Sequence, residues 1–142
     1  MEPSTFGLVL NSLGTGLPLL LLHFLTTLAL LGLGIACYMG ITPFHERRLI
    51  AQGNAAVGLV LAGTLVALAI PLAATLASSL VLLDIVIWGL VALALQLITF
   101  AVSALLIREL RTMIEAGNIA AASTLVGIQL AVALLNAGAM AG

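Results

Sequence analysis

Apolar residues fill the chain in four long runs, near residues 17–41, 53–77, 80–107 and 118–140, and the short stretches between them hold most of the charges. Each run reaches the 20 or so residues needed to cross a hydrocarbon layer of about 30 Å. Runs this long are helices, because membrane strands read as alternating segments of about ten residues. The pattern predicts an all-α integral membrane protein with four transmembrane helices. Residues 1–16 are shorter and mixed, and read as an N-terminal tail or an interfacial segment led by Phe6, Leu8 and Leu10.

The runs form two repeated helical hairpins, 17–78 and 79–142. Sliding residues 47–78 onto 111–142 gives eleven identities in 32 positions. Several are Ala or Leu and follow from composition. Arg47/Arg111, Ile50/Ile114, Gly53/Gly117, Asn54/Asn118 and Gly63/Gly127 are more specific. With two spans per unit, the copies share one orientation, as in parallel repeats about an axis along the membrane normal. Gly53-Asn54 and Gly117-Asn118 sit where each loop re-enters the apolar phase, and read as helix caps or bends. Thr42-Pro43 reads as an N-cap followed by proline at the first position of a short helix over 44–50.

Composition removes the soluble alternative. Hydrophobic residues make up 63% of the chain and charged residues 6%, against about 25% charged in a soluble domain. There is no lysine, and the four arginines are Arg47, Arg48, Arg108 and Arg111. All lie in the loops after the first and third spans. By the positive-inside rule those loops are cytoplasmic and both termini face outward. The first cation is Arg47, so a positive signal-peptide n-region is missing, and the first run is expected to remain in the mature protein. No basic stripe is present, so nucleic acid is not an expected partner; membrane lipids are.

Polar residues inside the runs carry the candidate chemistry, because each is costly in lipid and tends to face a bundle interior. In the third span Asp84, Trp88, Ala92, Gln96, Thr99 and Ser103 fall within an arc of roughly 120°. In the fourth, Asn118, Gln129 and Asn136 lie within about 20° of one another. The first offers His23, Thr27, Gly34 and Tyr38; the second offers Thr64, Pro71 and Thr75. Facing stripes would gather His23, Asp84 and Asn136 in an outer cluster and bring Gln96 and Gln129 together at the midplane. Asp84 is the only acid inside a span. The competing reading of the amides is interhelical glue worth about 1 kcal/mol each. Small residues four apart, including Gly32, Ala36 and Gly40, let backbones approach closely and suggest contacts between protomers.

The run Thr42-Pro43-Phe44-His45-Glu46, the two Gly-Asn pairs, Asp84-Ile85-Val86-Ile87-Trp88-Gly89 and Asn136-Ala137-Gly138-Ala139-Met140 together resemble the YjfL-like family of small bacterial membrane proteins. The resemblance spans about residues 15–142. It implies a bacterial inner membrane and a duplicated four-helix unit of unknown function, and no activity.

Several chemistries are set aside. The two histidines, His23 and His45, lie about 33 Å apart along a continuous helix and cannot clamp one haem. No cluster has metal-ligand spacing, and no phosphate loop or nucleophile elbow is present. No catalytic residue, metal or other cofactor is expected. The leading expectation is a homo-oligomeric channel or carrier for protons or small cations, with a pathway through Asp84, His23, Gln96, Gln129 and Asn136. The alternative is a scaffold or accessory subunit that binds another membrane protein.

Overall fold

The computed structural model describes residues 4–42 and 45–142. The described residues fold into α1 (Thr5–Ile41), α2 (Glu46–Ala51), α3 (Ala55–Ser78), α4 (Leu82–Leu106), α5 (Leu110–Glu115) and α6 (Ile119–Ala141). The four long helices α1, α3, α4 and α6 are each long and apolar enough to cross a membrane. Within the described residues there is no strand.

The first helix differs from expectation. Residues 5–16 continue α1 rather than forming a separate tail or interfacial segment, with Ser4 as N-cap accepting from Gly7 N. Pro18 gives Gly14 C=O no helical donor, and glycine at 14 and 16 has low helix propensity. The helix runs through all three. At 37 residues it is about 55 Å long, well beyond a hydrocarbon core of about 30 Å. Every residue from Ser4 to Leu22 is exposed, and the buried residues of α1 are Leu30, Gly34 and Tyr38.

Helices α3 and α4 form the centre, with α1 and α6 on opposite flanks, each packed on both. The α3–α6 pair is the most extensive. It is close because Gly63 is small: a Cβ there would lie 2.5 Å from Val126 Cγ2. On the other flank a Cβ at Gly34 would lie 2.7 Å from Leu93 Cδ2, and one at Gly89 would lie 2.7 Å from Leu30 Cδ1. Close backbone approach at small residues replaces the hydrophobic drive that lipid does not supply.

Two apolar clusters result. One, at the end carrying the arginines, joins Tyr38, Val57, Val60, Phe100, Leu110, Ile114 and Leu125. Tyr38 and Phe100 meet edge to face, with ring centroids 4.9 Å apart. The other joins Leu30, Leu68, Leu72, Ile85 and Leu93. On α3 the positions between the clusters are Thr64 and Ala67, so a polar layer lies sandwiched between them.

The two corners at the arginine end share one construction. In each, a six-residue helix is followed by glycine at positive φ, 83° at Gly53 and 84° at Gly117. An asparagine N-cap then accepts from the backbone three residues on, Asn54 from Val57 N and Asn118 from Ala121 N. Only glycine adopts that φ without a Cβ penalty. The starts of the short helices differ. Glu109 opens α5 in the left-handed region at φ 58°, whereas His45 opens α2 at φ −86°. Thr42 closes α1 and does not begin the next helix, which starts at Glu46; Pro43 and Phe44 lie outside the described residues. The Thr42 hydroxyl lies within hydrogen-bonding reach of both Tyr38 O and the buried Glu46 carboxylate.

Candidate functional site

At the end opposite the arginines, α3 and α6 finish and α4 begins. Their termini surround an open cleft of about 600 Å³. Its polar lining is Thr75, Ser78 and Ser79 from the end of α3, Asp84 from the first turn of α4, and Asn136 from the last turns of α6. Trp88, exposed one turn along α4, and Met140 form apolar walls. The geometry follows from chain direction. Helix C-termini at α3 and α6 bring hydroxyl and amide side chains together, and the N-terminus of α4 presents a carboxylate. That position at the positive end of the helix dipole favours a negative charge.

Among the described residues the Asp84 side chain makes no hydrogen bond or ion pair. Its neighbours are largely engaged. Thr75 Oγ1 donates to Pro71 O at 3.0 Å and approaches Met140 Sδ, and Ser78 Oγ donates to Ala74 O at 2.9 Å. Asn136 Nδ2 reaches Ala92 O on α4 at 3.5 Å, a long contact. Asp84 and Asn136 therefore share the cleft. His23 is not part of it: it is half-buried on α1, lines neither this cleft nor the midplane, and does not bond Asp84. The expected three-residue outer cluster is corrected to a pair. The first buried residue of α1 is Leu30, two turns further along, so at the level of His23 the helix is less deeply packed on the bundle.

The midplane layer is built differently. Gln96 and Gln129 line one small cavity with Tyr38, Thr64, Ala67 and Phe100. Thr64 Oγ1 on α3 donates to Gln129 Oε1 on α6 at 3.0 Å. Gln96 Nε2 on α4 donates to Ala67 O on α3 at 2.9 Å. The second bond has a local cause. Residue 71 is proline, so Ala67 C=O has no i+4 N–H to accept from. Gln96 supplies the missing donor from the neighbouring helix, as re-satisfaction of Pro-freed carbonyls in lipid requires. The Pro71 signal was present in the sequence, and counting back four residues would have identified the carbonyl.

At the arginine end, Asn54 does more than cap. Its Nδ2 donates to Glu115 O at 2.9 Å and to Ile114 O at 3.3 Å, tying the start of α3 to the end of α5. Asn118 is exposed and only caps. The four arginines are exposed, and Arg111 pairs with Glu115 on its own helix at 3.0 Å. Sequence reasoning missed Tyr38 in the polar layer, Ser78 and Ser79 in the cleft, and the burial of Glu46. Tyr38 was placed on the inner face of its span, but nothing in the spacing revealed which polar residues would oppose it.

Residues 12–140 match the profile of a protein family described as a Domain of Unknown Function, DUF350. The UPF0719 inner membrane protein YjfL of Escherichia coli strain K12 is 32% identical over 118 residues, covering 83% of this chain and 89% of its own length. The protein of the same name from Escherichia coli O157:H7 is similar to the same extent. No solved structure matches.

Proposed function

We propose that this chain, which belongs to the DUF350 family, works in the bacterial inner membrane as a homo-oligomeric channel or carrier that takes up protons or small cations at Asp84. One observation carries the reading. Asp84 is an acid within a membrane-length helix that makes no bond to any described residue, yet it lines an open cleft with hydroxyl and amide groups. A carboxylate can take up a proton or help to hold a cation, and neutral oxygens from Thr75, Ser78, Ser79 and Asn136 can replace part of a cation's hydration shell. Intramembrane acids without structural partners mark ion or proton routes. The exposed arginines support an outward-facing cleft under the positive-inside rule, with both chain termini on the outer side in this reading.

Beyond the cleft the single chain is closed, because the polar layer lies between two apolar clusters. A route through the membrane would run between copies or through an opened midplane, where Gln96 and Gln129 would line it. The duplication of the two hairpins belongs to the same reading, supported by the matching turns at Gly53-Asn54 and Gly117-Asn118. Proteoliposomes loaded with a pH-sensitive dye, or assayed for sodium and potassium flux, test the proposal. Wild-type protein should conduct, and Asp84→Asn should abolish conduction while keeping fold and oligomer size. Absence of flux at every pH, or full flux in Asp84→Asn, would end it.

A second reading has its own support. Thr64, Gln96, Gln129 and Asn136 all spend hydrogen bonds on neighbouring helices, as structural glue does. Gly32, Ala36 and Gly40 face outward, and a Cβ at Gly32 or Gly40 would touch nothing within 4 Å. A scaffold that seats another membrane protein on α1 would use that face. Purification from native membranes in mild detergent should then recover a partner, and recovery of the chain alone counts against it.

A further inference from the structure

The midplane cavity has a chemistry that the interhelix bonds do not exhaust. It is about 10 Å³ in volume and is lined by Tyr38, Thr64, Ala67, Leu68, Gln96 and Gln129 among others. Two polar atoms of its lining residues are buried without a hydrogen-bond partner, Tyr38 Oη and Gln96 Oε1. Tyr38 is 0% exposed and Gln96 4%. One group is a donor and the other an acceptor. They line the same cavity yet do not bond each other directly.

We propose that this cavity binds one water molecule, which accepts from the Tyr38 hydroxyl and donates to Gln96 Oε1. Its volume matches the roughly 10–15 Å³ that a single buried water requires, and a buried water needs two to four polar partners. Gln96 Nε2 is already committed to Ala67 O, which fixes the amide so that Oε1 is the free atom. Thr64 has committed its proton to Gln129, and its oxygen is an alternative partner for Tyr38. A direct Tyr38–Thr64 bond would satisfy the tyrosine and leave Gln96 Oε1 alone. A shared water satisfies both, where each would otherwise be a buried polar group left unpaired at a cost to stability.

The ligand is neutral rather than a metal cation. Every oxygen facing the cavity belongs to a hydroxyl, an amide or a carbonyl, and no charged side chain lines it. A monovalent ion there would be desolvated without a counter-charge. The site stands apart from the Asp84 cleft and does not depend on transport. Its effect is to join α1 to α4 by a hydrogen-bonded bridge at the level where the bundle is otherwise closed.

Water-edited solid-state NMR on the full chain in lipid bilayers, with side-chain amide labels assigned through Gln96→Leu, reads the site directly. The Gln96 amide should receive magnetisation from a slowly exchanging water in the wild type. That transfer should fall at least severalfold in Tyr38→Phe, whose isosteric ring preserves packing. A dry Gln96 amide in the wild type, or unchanged transfer in Tyr38→Phe, would overturn the assignment. Melting in matched NaCl and choline chloride should agree; a sodium-dependent rise lost in Tyr38→Phe would assign the cavity to a cation and equally overturn it.

Discussion

The Gln96–Ala67–Pro71 arrangement allows a prediction in which a single substitution changes sign with background. Pro71 is fully buried and provides no N–H, so Ala67 C=O depends on Gln96 Nε2 at 2.9 Å. Gln96→Leu removes that donor and leaves a buried carbonyl unsatisfied, at about 1–3 kcal/mol. It also removes a buried amide and its desolvation cost, which returns part of that loss. In the wild-type background the net loss should be about 1 kcal/mol, near the upper part of the range measured for interhelical bonds in membranes. Pro71→Ala restores a backbone donor at residue 71 that can reach Ala67 O, while losing some packing. In that background Gln96→Leu should be neutral or stabilising. The packing loss at residue 71 cancels in a double-mutant cycle, so the coupling isolates the carbonyl and should be about 1–2 kcal/mol. Reversible unfolding in mixed micelles, or steric trapping in bicelles, gives the four free energies. Additivity within about 0.5 kcal/mol would show that the glutamine does not repair the proline.

Other substitutions test the packing and the corners. Gly63→Ala should destabilise by roughly 1–3 kcal/mol, because the β-branched Val126 cannot move aside, whereas Gly127→Ala at the matching position should stay within about 0.5 kcal/mol by the same unfolding assay. Asn54→Ala should cost about 2 kcal/mol by detergent melting, for a cap and a bridge to α5, and Asn118→Ala about 1 kcal/mol for a cap alone. Glu109→Gly should stabilise by about 0.5–1 kcal/mol, since it relieves a left-handed backbone at an exposed residue. A reporter fused after Gly142 should be active only when placed outside the cytoplasm; cytoplasmic activity would reverse the orientation assigned to the cleft.

The four spans were readable because lipid makes the rule simple: length and apolarity suffice. The ends of α3, α4 and α6 fall within two residues of the runs seen in the sequence. The first span was misjudged for a physical reason. Counting apolar length finds only the stretch that lipid can cover, whereas a helix can continue beyond the hydrocarbon layer, as α1 does through residues 5–16. Faces were readable too, since Gln96, Gln129 and Asn136 all point inward. Partners were not. Periodicity gives the angle of a residue around its helix, but not how far its helix lies from the next one. That distance is set by Gly34, Gly63 and Gly89, and it brings α1 close at Leu30 while leaving His23 outside the cleft.

The interior polar residues divide by what the fold already asks of them. Gln129 holds Thr64, Gln96 repairs Ala67, and Asn54 ties α3 to α5. Removing any of these should disturb the bundle, so an activity loss in such a variant would say little about chemistry. Asp84 is in the opposite position. It is exposed in the cleft and bonded to no described residue. Its contribution to folding is limited to the helix-terminus effect, about 0.3–1 kcal/mol at an exposed site. The fold therefore gives little reason to keep an acid at that position, since its side chain caps no backbone group of α4. That separation makes Asp84→Asn a probe of function rather than of stability, and makes the cleft, not the better-connected midplane, the place where activity should first be sought.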